Sequence, residues 1–211
     1  MRTIQESFVT FFEENILSFF NMRNSLSRKR NMRILAEDTA ALFIDFQEKL
    51  VPAIANNEEI VAKAATFCAG LKELGVPMAV TQQYTKGLGD TVAPIKEAIG
   101  EFEPMEKMSF SAMGCDTFVE WVKAQGKKTI LVCGAEAHIC VLQSIMDLVR
   151  EGFRVFIVAD CVGSRASYNR AFAIQRAGQE GAFVTTCEGA LFEMVAGAGT
   201  PHFKAISKIV K

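Results

Sequence analysis

Histidine is nearly missing from this sequence, with only His138 and His202 among 211 residues. Six cysteines are present (Cys68, Cys115, Cys133, Cys140, Cys161 and Cys187), but no two form a CxxC pair. That excludes the usual zinc-ligand spacing and a dense disulfide scaffold, and it suits reduced thiols in an intracellular compartment. An excess of one charge is also lacking: 23 Lys and Arg stand against 24 Asp and Glu, a formal net charge of −1. Nothing in that balance attracts a nucleic acid or an anionic membrane surface. Gly87-Leu88-Gly89 is neither a GxGxxG turn nor a P-loop, so no phosphate cradle is evident. What the chain does have is apolar material: 50% of residues are hydrophobic and 22% charged, enough for a sizeable core.

The first 31 residues differ from the remainder. Ile4, Phe8, Phe12, Ile16 and Phe20 fall four apart, a stripe along one helical face, while Glu6, Glu13 and Glu14 interrupt any longer apolar run. That rules out a membrane span and a secretory signal there. The basic stretch NMRNSLSRKRN follows. Residues 1–31 are therefore read as an N-terminal extension: dispensable, with Met32 a second start, or a targeting presequence, or a docking helix. A cytoplasmic protein is expected, or an organellar one if residues 1–31 act as a presequence.

From residue 39 onward, short apolar runs alternate with helical patterns. TAALFIDF, VPMAVTQQY, EFEPMEK, KKTILVCGAE, FRVFIVADC and GAFVTTC read as strands. Between them lie NNEEIVAKAATFCAGLKELG, capped by Asn56 or Asn57 and ended by Gly75, then TVAPIKEAIG, CDTFVEWVKAQG, HICVLQSIMDLVREG and SYNRAFAIQRAGQEG, with EGALFEMV last. Lys86 to Asp90 reads as a loop. Strand and helix alternate without a break, which predicts a three-layer α/β domain over residues 32–211, with a parallel sheet covered on both faces.

Ligands of such sheets bind beyond the carboxyl ends of the strands. The polar residues there are Asp45 after the first strand, Gln82, Gln83 and Tyr84 after the second, and Lys107 after the third. Cys140 follows the fourth strand and opens a helix, and Asp160 follows the fifth. A cysteine at a helix N-terminus is expected to have a lowered pKa. An aspartate to take its proton and a lysine to stabilise the charge would complete a nucleophilic set. By spacing alone, Asp45 as a turn cap, Lys107 as a solvated side chain and Cys140 as a small buried residue fit equally. Cys68 and Cys133 read as core, and Cys115, Cys161 and Cys187 as structural.

ALFIDFQEKL, EKMSFSA and GAEAHICV, in that order, resemble the isochorismatase-like cysteine hydrolase family over residues 38 to about 195. TQQYTKGLGDT and ADCVGSRA resemble its substrate-unassigned branch. The resemblance implies a six-stranded parallel sheet and a catalytic triad of Asp45, Lys107 and Cys140. It also implies a non-proline cis peptide at Ala135–Glu136, with the N–H groups of Glu136 and Cys140 as an oxyanion hole. Phe46, Gln47, Tyr84, Phe110 and His138 are then pocket candidates. Nicotinamidases of the family bind a metal through an Asp and two His near the second strand; TQQYTKGLGD has no histidine, so no metal and no cofactor are expected. Isochorismate-cleaving members generally do without the cysteine, so Cys140 points to C–N hydrolysis of a small amide-like molecule through a thioester. The alternatives are vinyl ether hydrolysis, or a thiol redox or interaction module without turnover. The resemblance further implies a homo-oligomer.

Overall fold

Two stretches, Thr39–Ile44 (β1) and Thr129–Ala135 (β4), are buried at every residue. A strand can tolerate that only at the centre of a sheet covered on both faces, and the two pair side by side in parallel register, Ile44 opposite Gly134. The computed structural model describes residues 32–211, within which Ile34–Lys211 form one compact unit. The expected N-terminal extension, residues 1–31, lies outside the described residues.

The remaining elements, in order, are α1 (Asn57–Glu73), β2 (Met78–Gln83), α2 (Thr85–Leu88), α3 (Ala93–Ile99), β3 (Met105–Lys107) and α4 (Asp116–Ala124). After β4 come α5 (Leu142–Arg150), β5 (Arg154–Gly163), α6 (Ser167–Gln179), β6 (Phe183–Thr185), α7 (Cys187–Val195) and α8 (Phe203–Ile209). The six strands are all parallel, in the order β3-β2-β1-β4-β5-β6. With its helical layers this is the three-layer α/β fold expected from the alternation. The two edge strands are three residues long, which limits the unpaired backbone they offer.

Helix α1 buries Ile60, Val61, Ala64, Phe67, Cys68 and Leu71, a stripe at helical spacing, and packs on α3, α7, α8 and β5. On the other face α5, with Leu142, Ile145 and Leu148 buried, packs on α6 and β5. Asn56 holds the cap position of α1 in a left-handed conformation, but its side chain makes no cap bond; Asn57 instead donates to the Ile54 carbonyl at 3.2 Å.

The structure departs from the sequence reading at three places. Lys86 to Asp90 is not purely loop, because Thr85–Leu88 close one helical turn. Asp160 does not follow the fifth strand but lies within it, since β5 continues to Gly163. Its carboxylate accepts the Cys187 N–H at 2.8 Å, capping α7 rather than facing a ligand. Helix α8 was not anticipated.

The strand order reverses between β1 and β4, so the crevice at their carboxyl ends is where such folds place ligands. Gly134 makes that junction possible. Its φ is 139°, and a Cβ there would fall 2.2 Å from the Ile44 carbonyl oxygen. The register of β4 against β5 also shifts between Val132 and Gly134. Gly134→Ala is expected to cost about 3 kcal/mol through overpacking, read as a fall of roughly 6–12 °C in thermal midpoint; an unchanged midpoint would refute the close approach.

Candidate active site

Asp45 leaves β1 at φ 53°, a left-handed conformation that aspartate tolerates better than most residues. Its N–H donates to the Thr81 carbonyl at 3.1 Å, and its own carbonyl accepts the Gln47 N–H at 2.8 Å. This sharp turn leaves the carboxylate fully buried, where Thr81 Oγ1 donates to Oδ1 at 2.9 Å and Lys107 Nζ to Oδ2 at 2.7 Å. Lys107 ends β3, opposite Gln83 in register. Its ammonium also donates to Gln83 Oε1 at 2.8 Å and to the Ser109 carbonyl at 3.3 Å. An ammonium has three N–H groups, and here each has an acceptor.

Gln83 can point only one way. Its Oε1 must face the ammonium, and its Nε2 donates to the Met108 carbonyl at 2.9 Å. The Gln83 backbone is gripped in turn: its N–H donates to Gln47 Oε1 at 2.7 Å, and Gln47 Nε2 donates back to the Gln83 carbonyl at 3.0 Å. The Gln47 amide thus pairs with a strand end as a neighbouring backbone would.

Cys140 does not open an α-helix. It is the fourth residue of a π-helical turn, Ala137–Val141, that precedes α5. The Ala135–Glu136 peptide before the turn is cis, as the resemblance implied. Ser144 accepts the Ala112 N–H at 2.8 Å and donates to the Cys140 carbonyl at 2.7 Å, fixing the turn from behind. The thiol is close enough to the Asp45 carboxylate and the Lys107 ammonium for both charges to act on it. Asp45, Lys107 and Cys140 are therefore brought together from the ends of β1, β3 and β4.

The expected low thiol pKa is not what the structure gives. Burial, reinforced by the charge of Asp45, pushes Cys140 up to about 12, with Lys107 pulling the other way. Burial likewise raises the Asp45 carboxyl above its ordinary value, against the opposing pull of Lys107. Desolvation outweighs the pull of a helix end at a thiol this buried. At neutral pH the resting side chain is a thiol, and the carboxylate beside it is the base within reach.

The pocket candidates separate. Tyr84 and Phe110 are exposed beside Lys107. Phe46 is in the core, its ring centroid 6.4 Å from that of Phe43, and Gln47 has its amide engaged with Gln83 and with the Gly89 carbonyl. His138 Nδ1 is 3.0 Å from Ser164 Oγ and Nε2 is 3.4 Å from Asn169, stitching the π turn to the start of α6. Glu136 is buried and forked by Arg165 Nε at 3.0 and 3.1 Å, with the Arg165 N–H adding a third bond. The sequence reading missed the roles of Thr81, Gln83, Ser144 and Arg165. No spacing rule connects partners 24 or more residues apart, although Gln83 and Arg165 both stand in stretches noted above.

Among the described residues every buried side-chain nitrogen or oxygen has a partner. No group of three or more His, Cys, Asp or Glu among them converges as a metal site, and no helix is long and apolar enough to cross a membrane.

This sheet order, with an aspartate, a lysine and a cysteine converging at its strand ends, is that of a three-layer α/β protein. The sequence matches the isochorismatase domain over residues 39–189, and the chain belongs to that family. It is 35% identical over 191 residues to the secreted isochorismatase effector Isc1 of Phytophthora sojae, covering 89% of this chain and 91% of the relative. Among solved structures, the MAR1 ribonuclease of Caenorhabditis elegans superposes with a TM-score of 0.80 at 35% identity, covering 84% of this chain and 92% of that one. The YcaC gene product of Escherichia coli, described as an octameric hydrolase of unknown specificity, reaches 0.81 at 24% identity, covering 86% and 90%. At that identity the likeness is one of fold.

Two outcomes follow from the site. Gln83→Leu removes an acceptor from a buried ammonium and is expected to cost about 1.5–3 kcal/mol, a fall of roughly 3–12 °C in thermal midpoint; an unmoved midpoint would contradict the role given to Gln83. The second concerns the thiol: the difference in absorbance at 240 nm between the wild type and Cys140→Ala is expected to show no thiolate at neutral pH. An unfolded thiol ionises near about 8.5, whereas the folded one ionises only near 12. Cys140 therefore contributes stability that is present below the lower value and lost as pH rises between the two. A thiolate plateau at pH 7 would overturn this.

Proposed function

We propose that this protein is a metal-independent cysteine hydrolase that cleaves a C–N bond of a small amide-like or carbamoyl molecule. Family membership supports a hydrolase. The observation that carries the chemistry is the convergence of three groups: the Lys107 ammonium 2.7 Å from the Asp45 carboxylate, and the Cys140 thiol close enough for both charges to act on it.

In the proposed reaction the S–H proton passes to Asp45 as Sγ bonds to the carbonyl carbon, and the C=O electron pair becomes an oxyanion. The first turn of a helix leaves backbone donors without intrahelical partners. The N–H groups of Glu136 and Cys140 would serve the oxyanion, at a gain on the order of 3 kcal/mol per donor. The intermediate collapses, the C–N bond breaks, and Asp45 gives its proton to the departing nitrogen. Water then gives a proton to Asp45 and attacks the thioester, the S–C bond breaks, and Sγ recovers the proton. Lys107 donates to Asp45 Oδ2 and holds the carboxyl group in place.

The ribonuclease named for the C. elegans relative requires phosphate recognition. Here the net charge is −1, and Lys107 and Arg165 are each matched by a carboxylate, which favours a small uncharged substrate over a nucleic acid. The octameric state of the E. coli protein supports a homo-oligomer. Six cysteines without disulfides suit a cytoplasmic setting.

The decisive experiment is a panel of amides, carbamates and ureas with intact-mass detection of an acyl adduct on Cys140. Cys140→Ala is expected to abolish adduct and turnover, and Asp45→Asn to slow acylation by about 10²–10⁴. Because burial raises Asp45, the acid limb of kcat/KM is expected above the ordinary carboxylate range. Turnover retained in Cys140→Ala would sink the thioester route and favour vinyl ether hydrolysis.

A further inference from the structure

The charges buried at this site are already matched. The Lys107 ammonium has Asp45 Oδ2 at 2.7 Å, Gln83 Oε1 at 2.8 Å and the Ser109 carbonyl at 3.3 Å, so none of its protons is left for a ligand. Arg165 is forked onto Glu136, and that pair also sums to zero. A carboxylate or phosphate entering here would be desolvated beside Asp45 and Glu136 without a compensating cation, which is costly.

The rim around Lys107 has the opposite character. Met108 is 70% exposed, Phe110 52% and Tyr84 45%, although all three are large and apolar. Single exposed apolar residues are ordinary, but these three stand on backbone next to Lys107: Met108 and Phe110 follow it within three residues, and Tyr84 is hydrogen-bonded to its carbonyl. Their backbone is fixed: the Tyr84 N–H donates to the Lys107 carbonyl at 3.1 Å, the Met108 carbonyl accepts from Gln83 Nε2, and Phe110 lies between Ser109 and Ser111, which are bridged at 2.8 Å. The Tyr84 ring is seated over Gly87, where a Cβ would fall 2.3 Å from it. Mostly apolar walls around a few committed polar groups are the usual make-up of a small-molecule site.

We infer that the substrate presents a neutral face to this site and carries an apolar group, aromatic or branched, that rests on Tyr84, Met108 and Phe110. This rests on the reading of Cys140 as the nucleophile. Such a substituent gains affinity from surface removed from water, whereas an anionic one loses it.

Three electrophiles that alkylate thiols test this without knowledge of the natural substrate: acrylamide, N-benzylacrylamide and N-acryloylglycine. Second-order rate constants for Cys140 in the full chain are read by intact mass, with Cys140→Ala correcting for the other cysteines. The benzyl probe is expected to react about tenfold faster than acrylamide, and the anionic probe more slowly than acrylamide. Each rate is divided by that of the same probe with glutathione. Met108→Ser and Phe110→Ser, both exposed and so tolerated by the fold, are expected to bring the benzyl and acrylamide rates together. Equal corrected rates in the wild type, or a preference for the anionic probe, would overturn the inference while leaving Cys140 reactive. No native labelling by any probe, with full labelling after denaturation, would instead remove the nucleophile reading and the inference with it.

Discussion

The buried ion pair of Lys107 and Asp45 is the constraint to which the rest of the site conforms. Two charges without exposed side-chain surface are unfavourable in a protein interior unless every remaining donor and acceptor is met. Thr81 supplies a hydroxyl to the carboxylate, and Gln83 and the Ser109 carbonyl complete the ammonium. Each of these partners then needs its own support, which Gln47 and the Met108 carbonyl provide. A shell of neutral amides and carbonyls thus surrounds one charge pair. Removing a single member would leave a desolvated charge, so the arrangement is coupled throughout.

The thiol is tuned by the same environment. A helix end favours thiolate, but the effect acts through partial charges, whereas burial removes the solvation of a full one. In this site burial dominates, and the Asp45 charge adds to it. In the proposed reaction the nucleophile is made only as its proton leaves for Asp45.

Much of this was legible in the sequence. Strands β1 and β4, apolar but for Thr39 and Thr129, could be read because a central parallel strand permits little else, and the ends of those strands pointed to Asp45 and Cys140. Lys107 was found because it ends β3 within a recognisable stretch. Illegible were the partners joined only by the fold: Glu136 with Arg165, Ser144 with Ala112, and His138 with Ser164. Asp160 misled because the length of β5 depends on its pairing with β4, and strand composition alone does not mark where pairing stops. The direction of the thiol shift was missed for a related reason, since desolvation is a property of packing rather than of position along the chain.

The π turn at Ala137–Val141 has a consequence for how this fold tolerates change. A π turn holds more residues per turn than an α-helix, so it acts as one residue inserted where β4 gives way to α5. Successive residues of an α-helix are separated by about 100° of rotation. A deletion that restored ordinary helical winding would therefore swing Cys140 around the axis by about that angle, away from Asp45, while leaving the packing of α5 intact. Composition, core and sheet would survive such a change, and the relation between thiol and carboxylate would not. In this protein the phase of one helix, set by a single extra residue, fixes where the Cys140 thiol stands relative to the Asp45 carboxylate.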